Sequence, residues 1–355
     1  RKLFICGGYI LWGVSILAFA LIKVDVFAPM VGSAVASAAL CVNLVIGLDC
    51  IMTFLGSTAN DAAFNAWMTD WGDENNRGKI EGINAMMPLV AILVVFGGFM
   101  AFDLDKSKSW TIIFICIGVL VLIIGALGIV WIKESPDVER GKGIYGYWNT
   151  VLYSFKPSVI KNNKLLYAVL VAFAVFGISI QIFMPYLILY YEKSLGMTNY
   201  VFVMAPAIII AAVITAFYGK LFDMLGFKSS VLPSIFMLMG GYVLLYFGRS
   251  TAVVFFGSLL MMTGYLTGMA IFGAMIKGRI PEKKAGQFQG MRIIGQVFVP
   301  GIIGPAIGAA VLKNAEVIVN NDGTTSFLPN ENIFLAALVV AVILLIILVA
   351  IFTMM

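Results

Sequence analysis

Residues 219–228 read Gly219-Lys220-Leu221-Phe222-Asp223-Met224-Leu225-Gly226-Phe227-Lys228, between apolar runs at 201–221 and 230–247. An α-helix rises 1.5 Å per residue and needs roughly 20 apolar residues to cross the hydrocarbon core of a bilayer. Both flanking runs reach about that length, so the stretch reads as a short connection between two membrane spans. Moving outward, the same criterion gives further spans at 3–22, 35–67, 81–102, 110–132, 165–189, 252–276, 291–312 and 333–353. The second is the least regular, because its apolar run fades after Gly56 into Ser57-Thr58-Ala59-Asn60-Asp61. The whole chain is 61% hydrophobic and 12% charged, with a mean hydropathy of +1.02. Soluble domains are nearer half apolar and a quarter charged. The solvent for this chain is therefore lipid, and the architecture is all-α.

Charge sets the orientation. With Arg1 placed inside and the spans alternating, only Lys23, Lys106, Lys108, Lys193, Arg249 and Lys313 fall outside, out of 23 basic residues. The other 17 lie in inside segments, so both termini are expected in the cytoplasm. The net charge of +5 thus reflects membrane orientation rather than a nucleic-acid partner. Residues 133–164 open with Lys133-Glu134-Ser135-Pro136 and also carry Arg140, Lys142, Lys156, Lys161 and Lys164. They read as a cytoplasmic linker between a first bundle, 1–132, and a second, 165–355. Residues 313–332, with Asn320-Asn321-Asp322-Gly323, read as a polar outside loop.

Chemistry that the chain lacks narrows its function. There is no histidine, which removes the commonest general base and metal ligand. The four cysteines, Cys6, Cys41, Cys50 and Cys116, all lie in apolar spans and have neither disulfide nor metal spacing. No nucleophile–base motif is evident, so an embedded enzyme is disfavoured and neither cofactor nor metal is expected.

The sequence also repeats itself. Glu74-Asn75-Asn76-Arg77-Gly78-Lys79-Ile80-Glu81-Gly82 follows the second span, and Glu282-Lys283-Lys284-Ala285-Gly286-Gln287-Phe288-Gln289-Gly290 follows the eighth. Both fit E-x-x-[R/A]-G-x-x-x-G at the start of an inside-to-outside helix. Parallel repeats call for equal halves, yet four spans precede the linker and six follow it. With Arg1-Lys2 leading straight into an apolar helix, two further spans are expected upstream of Arg1.

Residues 219–228 resemble the G-x-L-x-D-x-x-G-[R/K]-[R/K] loop of the major facilitator superfamily, and Arg1-Lys2 is similar to the end of that loop in the first half. Arg77-Gly78 before the third span and Gly301-Ile302-Ile303-Gly304-Pro305-Ala306-Ile307-Gly308 in the ninth also resemble this superfamily. The resemblance implies ten of twelve transmembrane helices in two pseudo-symmetric bundles. It implies a solute cavity near the midplane between the bundles, opened alternately to each side by rocking. It further implies gating roles for Arg77, Gly78, Gly219, Asp223, Gly226 and Lys228, with Asp223 as a latch. Thr58 to Trp67, followed by Asp70 and Asn76-Arg77-Gly78, is most similar to the sugar-linked glycoside–pentoside–hexuronide:cation symporter branch. The third span, Met87-Pro88-Leu89-Val90-Ala91-Ile92, lacks the glycine-proline pattern of drug:proton antiporters.

Polar residues within spans are costly in lipid and mark function. At 100° per residue, Asp49, Thr53, Gly56 and Asn60 share one stripe of the second span; Asn43, Asp61 and Asn65 share a neighbouring one. Asp49, Asp61 and Thr53 are the candidates for coupling to a proton or sodium ion, Asp49 first because of its depth. Candidate solute contacts are Asn60, Asn65, Asn84, Gln181, Tyr186, Tyr265 and Gln296, since sugars need neutral donors and acceptors with aromatic platforms. The same neutral residues could equally hold helices together. Tyr9, Trp110 and Trp131, near span ends, read as interfacial anchors. The expected function is alternating-access transport of a small polar solute, a sugar or glycoside, coupled to a cation, by a monomer in a bacterial inner membrane. Proton-coupled export of hydrophobic compounds, or a sensor with the same fold, are the alternatives.

Overall fold

The computed structural model describes residues 1–64, 67, 91, 94–95, 97–99, 102–103, 106–134, 152–280, 285–319 and 325–355. The chain divides into two compact units. One comprises Arg1–Gly141 with Val319–Thr325; the other comprises Lys142–Ile318 with Ser326–Met355.

In the first unit, α1 (Lys2–Phe19) is followed by a short helix α2 (Val24–Val31), then α3 (Ala34–Gly56) and α4 (Ser107–Trp131). Beyond Gly56 the α3 helix widens into a π-helical segment, Ser57–Phe64. Small residues let α1 lie close against α4. A Cβ on Gly118 would meet the Leu17 side chain at 2.7 Å, and one on Gly13 would meet Leu122 at 2.8 Å. In lipid, where apolar contact alone gives little drive for association, such close approach is what holds helices together. The α2 helix lies in what reads as a loop from hydropathy alone. Lys23 precedes it in an extended conformation, and it ends at Gly32, whose φ of 74° is a left-handed C-cap.

The second unit begins with a 3₁₀ turn, Tyr153–Phe155, and a short helix α5 (Pro157–Asn162). Then come α6 (Lys164–Phe183), α7 (Val201–Phe247), α8 (Thr251–Arg279), α9 (Ala285–Ile293), α10 (Val299–Leu312) and α11 (Asn332–Met354). A π turn at Ile294–Phe298 joins α9 to α10. Helix α6 continues through a 3₁₀ turn at Met184–Tyr186, at its Pro185, and ends in a π turn at Tyr190–Ser194. Proline removes one backbone donor, and the altered turns are the local accommodation.

The stretch 219–228 differs from expectation. It is not an open loop: α7 runs through it with one interruption, Gly226, at φ 74° and ψ −178°. A side chain is strained in that backbone region, so glycine permits a sharp turn between two spans with almost no loop. A second difference is a two-stranded ribbon, β1 (Val317–Val319) with β2 (Thr325–Phe327), within the segment read as a polar loop.

Among the described residues nine helices are long and apolar enough to span a membrane, from Lys2–Phe19 to Asn332–Met354. They match nine of the expected spans within a few residues. The remaining one, 81–102, lies mostly outside the described residues. Packing in the second unit is dense. A Cβ on Gly241 would meet Met261 N at 2.4 Å, and one on Gly264 would meet Leu238 N at 2.4 Å, so α7 and α8 touch backbone to backbone. Beside them Phe173 stacks on both Phe176 and Phe272, which meet each other tilted.

Candidate functional site

The first unit carries an unusual span. Ala36–Asp61 crosses with only 6% of its apolar window buried, against 56% for Lys164–Ser194 and for Thr251–Ile276. Its exposed residues include Asn43, Asp49, Thr53 and Asp61. Asp49 is 13 residues from Ala36 and 12 from Asp61, about 20 Å from either end at 1.5 Å per residue. Among the described residues the side chains of Asp49 and Thr53 make no hydrogen bond or ion pair. A carboxyl group at mid-span is costly against lipid, and Asp49 shares its face of α3 with the exposed apolar side chains of Val45 and Ile46.

The shared stripe of Asp49, Thr53, Gly56 and Asn60 does not keep one environment. Asp49 and Thr53 stay exposed, whereas Gly56 and Asn60 are taken up by α1. A Cβ on Gly56 would meet the Trp12 ring at 2.9 Å, and one on Gly8 would meet Ala59 at 2.7 Å. At this crossing the Tyr9 hydroxyl donates to Asn60 Oδ1 at 2.9 Å, and Asn60 Nδ2 donates to Asp61 Oδ1 at 3.1 Å. Tyr9 and Trp12 meet edge to face at 5.5 Å between ring centroids. Tyr9 is therefore tied to the polar end of α3 rather than left as an interfacial anchor. The reason is the π segment: its wider turn changes the angular step after Gly56, so extrapolation at 100° per residue fails where Asn60 and Asp61 sit. π segments recur at functional sites because they re-aim side chains that a regular helix would place elsewhere.

Beside this cluster is a cavity of about 250 Å³ within the same unit, lined by Ile5, Cys6, Tyr9, Phe64, Gly128 and Trp131 among others. Its walls are apolar, and the Tyr9 side chain is the one that links it to the Asn60–Asp61 pair.

In the second unit, Gln181, Tyr186 and Gln296 converge on the contact of α6 with the π turn and α10. A Cβ on Gly304 would meet Gln181 Cβ at 2.4 Å; one on Gly308 would meet the Tyr186 ring at 2.8 Å; one on Gly177 would meet Pro300 at 2.7 Å and Gln296 O at 3.7 Å. Gln296 lies in the π turn, where its Oε1 accepts from Arg292 Nε at 3.2 Å. Tyr265 is half-buried on α8. Among the described residues, the side chains of Gln181, Tyr186 and Tyr265 make no hydrogen bonds and so keep their donors and acceptors open.

Three buried polar pairs of this unit are different, although the Ser154 and Ser230 hydroxyls, buried in the same unit, have no partner among the described residues. The Ser179 hydroxyl donates to Ala337 O at 2.9 Å and pairs with the Tyr242 hydroxyl at 3.0 Å. Tyr191 pairs with Ser258 at 2.8 Å, and Ser234 pairs with Thr267 at 2.7 Å. These satisfied groups are helix glue. Sequence reasoning singled out Thr267 but passed over the serines and tyrosines, which in an apolar run carry no sign of what they face.

Asn65, Asn84, Arg77 and Gly78 lie outside the described residues. Gly219 and Asp223 are on the helical backbone of α7. Lys228 is exposed, with Nζ 5.4 Å from the Phe352 ring centroid, a cation–π contact on an exposed surface.

No curated protein matches the chain by sequence. Among solved structures it resembles the crystal structure of a mutant of the nucleoside transporter NupG. The TM-score is 0.66 at 14% identity, covering 99% of this chain and 83% of that one. The sequence matches the Major Facilitator Superfamily profile over residues 1–305. With its apolar helices and open mid-span carboxylate, the chain belongs to the Major Facilitator Superfamily and is a membrane transporter, not an enzyme.

Proposed function

We propose that this transporter moves a small polar solute, a sugar or glycoside, by alternating access coupled to a proton or sodium ion. Asp49 carries the proposal: an exposed carboxylate at mid-span with no partner among the described residues. Such a group is costly unless a cation neutralises it, and reversible neutralisation is what couples an ion to a transport cycle. Thr53, one turn away, adds a neutral oxygen, and Asp61 is the second carboxylate of the span. Open hydrogen-bonding groups on Gln181, Tyr186 and Tyr265, with Asn60 and Gln296, suit a solute rich in hydroxyls. The likeness of residues 58–78 to the sugar-linked cation symporters supports the same solute class.

We place the boundary between the bundles in residues 133–164 and both termini in the cytoplasm of a bacterial inner membrane. Gly226 is the tight turn of this stretch; Asp223 is its latch, and Gly219 and Lys228 are the other gating residues we assign there.

The test is uptake into vesicles under an imposed proton or sodium gradient, with sugars, glycosides and nucleosides as labelled solutes. Accumulation of a sugar or glycoside above equilibrium, collapsed by dissipating one gradient, is expected. Accumulation of nucleosides alone would replace the solute class, and uptake insensitive to either gradient would remove the coupling.

A further inference from the structure

Residues 152–164 form a built surface at the entrance to α6 that the transport reading leaves unused. They read Leu152-Tyr153-Ser154-Phe155-Lys156-Pro157-Ser158-Val159-Ile160-Lys161-Asn162-Asn163-Lys164. Their inner side is fixed to the second unit. Val159 and Ser154 are buried, the Tyr167 hydroxyl donates to Ser154 O, and the rings of Tyr153 and Tyr167 both lie against Phe288 at 6.2 and 6.4 Å. At Asn163 the backbone leaves helical geometry, φ −126° and ψ 39°, so α5 turns off the α6 axis where the span begins.

The outer side is mixed in a particular way. Leu152, Phe155 and Ile160 are 49%, 43% and 38% exposed. Lys156, Lys161 and Lys164 are exposed beside them, and among the described residues none of the three makes a hydrogen bond or ion pair. No acidic residue occurs between Arg140 and Glu192, so the chain supplies no nearby anion in sequence. Apolar side chains interleaved with unpaired lysines, at the membrane end of a span, match one surface by charge and polarity. That surface is the anionic headgroup layer of the bilayer, where apolar groups enter the acyl boundary and ammonium groups stay with phosphates.

We infer that residues 152–164 are a docking site for anionic phospholipid headgroups, seated by Leu152, Phe155 and Ile160 and selected by Lys156, Lys161 and Lys164. The site is independent of the solute and of the coupling ion. Each lysine near an anionic surface strengthens binding about fivefold, so three together give a preference of about 100-fold for an anionic over a zwitterionic lipid.

The experiment titrates the detergent-solubilised protein with short-chain phosphatidylglycerol and, separately, phosphatidylcholine, at low and high salt. The expected result is a preference for phosphatidylglycerol of about 100-fold at low salt that shrinks at high salt. In a Lys156→Gln, Lys161→Gln, Lys164→Gln protein the two lipids should bind nearly alike. A Lys193→Gln, Lys313→Gln control should keep the preference. Thermal unfolding with phosphatidylcholine present verifies that the triple variant is folded; should it unfold, the three single variants, each expected to lose about fivefold, decide instead. Equal binding of the two lipids to the unaltered protein would overturn the inference, as would an undiminished preference in the lysine variants. Displacement of phosphatidylglycerol by millimolar inorganic phosphate would also overturn it, by making this a site for soluble anions.

Discussion

Helix α3 and the core of the second unit treat polar side chains in opposite ways. In the second unit Ser179, Tyr242, Tyr191, Ser258, Ser234 and Thr267 are buried and hydrogen-bonded, helix to helix. On α3 the polar residues Asn43, Asp49 and Thr53 are exposed, and Asp49 puts an ionisable group at a depth where charge is costly. A satisfied polar group in a membrane protein holds helices together; an exposed one without a partner is placed to meet something that comes and goes. The contrast divides the molecule's polar residues by role without reference to residue type, since tyrosines occur on both sides of it: Tyr242 is committed, while Tyr186 and Tyr265 are open.

The largest effect should come from the scaffold. Gly264→Val puts a branched side chain where even a Cβ would be 2.4 Å from Leu238 N, and backbone cannot step aside as a side chain can. Overpacking of this kind costs about 1–3 kcal/mol or more. Loss of folded protein in detergent, read by thermal unfolding, is expected; normal unfolding would mean that α7 and α8 are not in backbone contact. Next is Gly226→Ala. At φ 74° and ψ −178° the strain is about 1–3 kcal/mol, and slower solute exchange with a modest loss of stability is expected. An unaffected protein would remove Gly226 from the turn.

Tyr242→Phe is smaller and sharpens the contrast. It removes one partner of Ser179, and interhelical hydrogen bonds in membranes contribute about 0.6 kcal/mol on average. Thermal stability should fall slightly while transport per folded molecule is unchanged. A selective loss of transport would move Tyr242 from scaffold to site.

Much of this was legible in the sequence, and the reasons differ by residue. The spans were readable because lipid imposes a length and a polarity on every crossing helix, so 333–353 and 110–132 differ from the observed helices by only a few residues. Gly226 was readable because a positive φ selects glycine. Asp49 stands out in the sequence because an ionisable group in an apolar run has no cheap explanation; its role is a matter for the transport assay. The bond from Tyr9 to Asn60 was not: it depends on a π segment at Ser57–Phe64, and local sequence does not reveal where a helix changes its step. A tyrosine, a tryptophan and two glycines within residues 7–12 were the only sign that this part of α1 receives another helix. The α2 helix and the strands Val317–Val319 and Thr325–Phe327 escaped because short elements between spans carry little hydropathy signal.

The most direct test of the division between open and committed polar residues sets Asp49→Asn beside Ser179→Ala in the same vesicles, measuring uphill accumulation, solute exchange at equal concentrations and thermal unfolding. Asp49→Asn keeps the shape of the side chain and removes its charge. It should abolish accumulation, retain part of the exchange and leave unfolding unchanged, whereas Ser179→Ala should lower the unfolding temperature and leave accumulation per folded molecule intact. Full ion-driven accumulation by a folded Asp49→Asn protein would contradict the account.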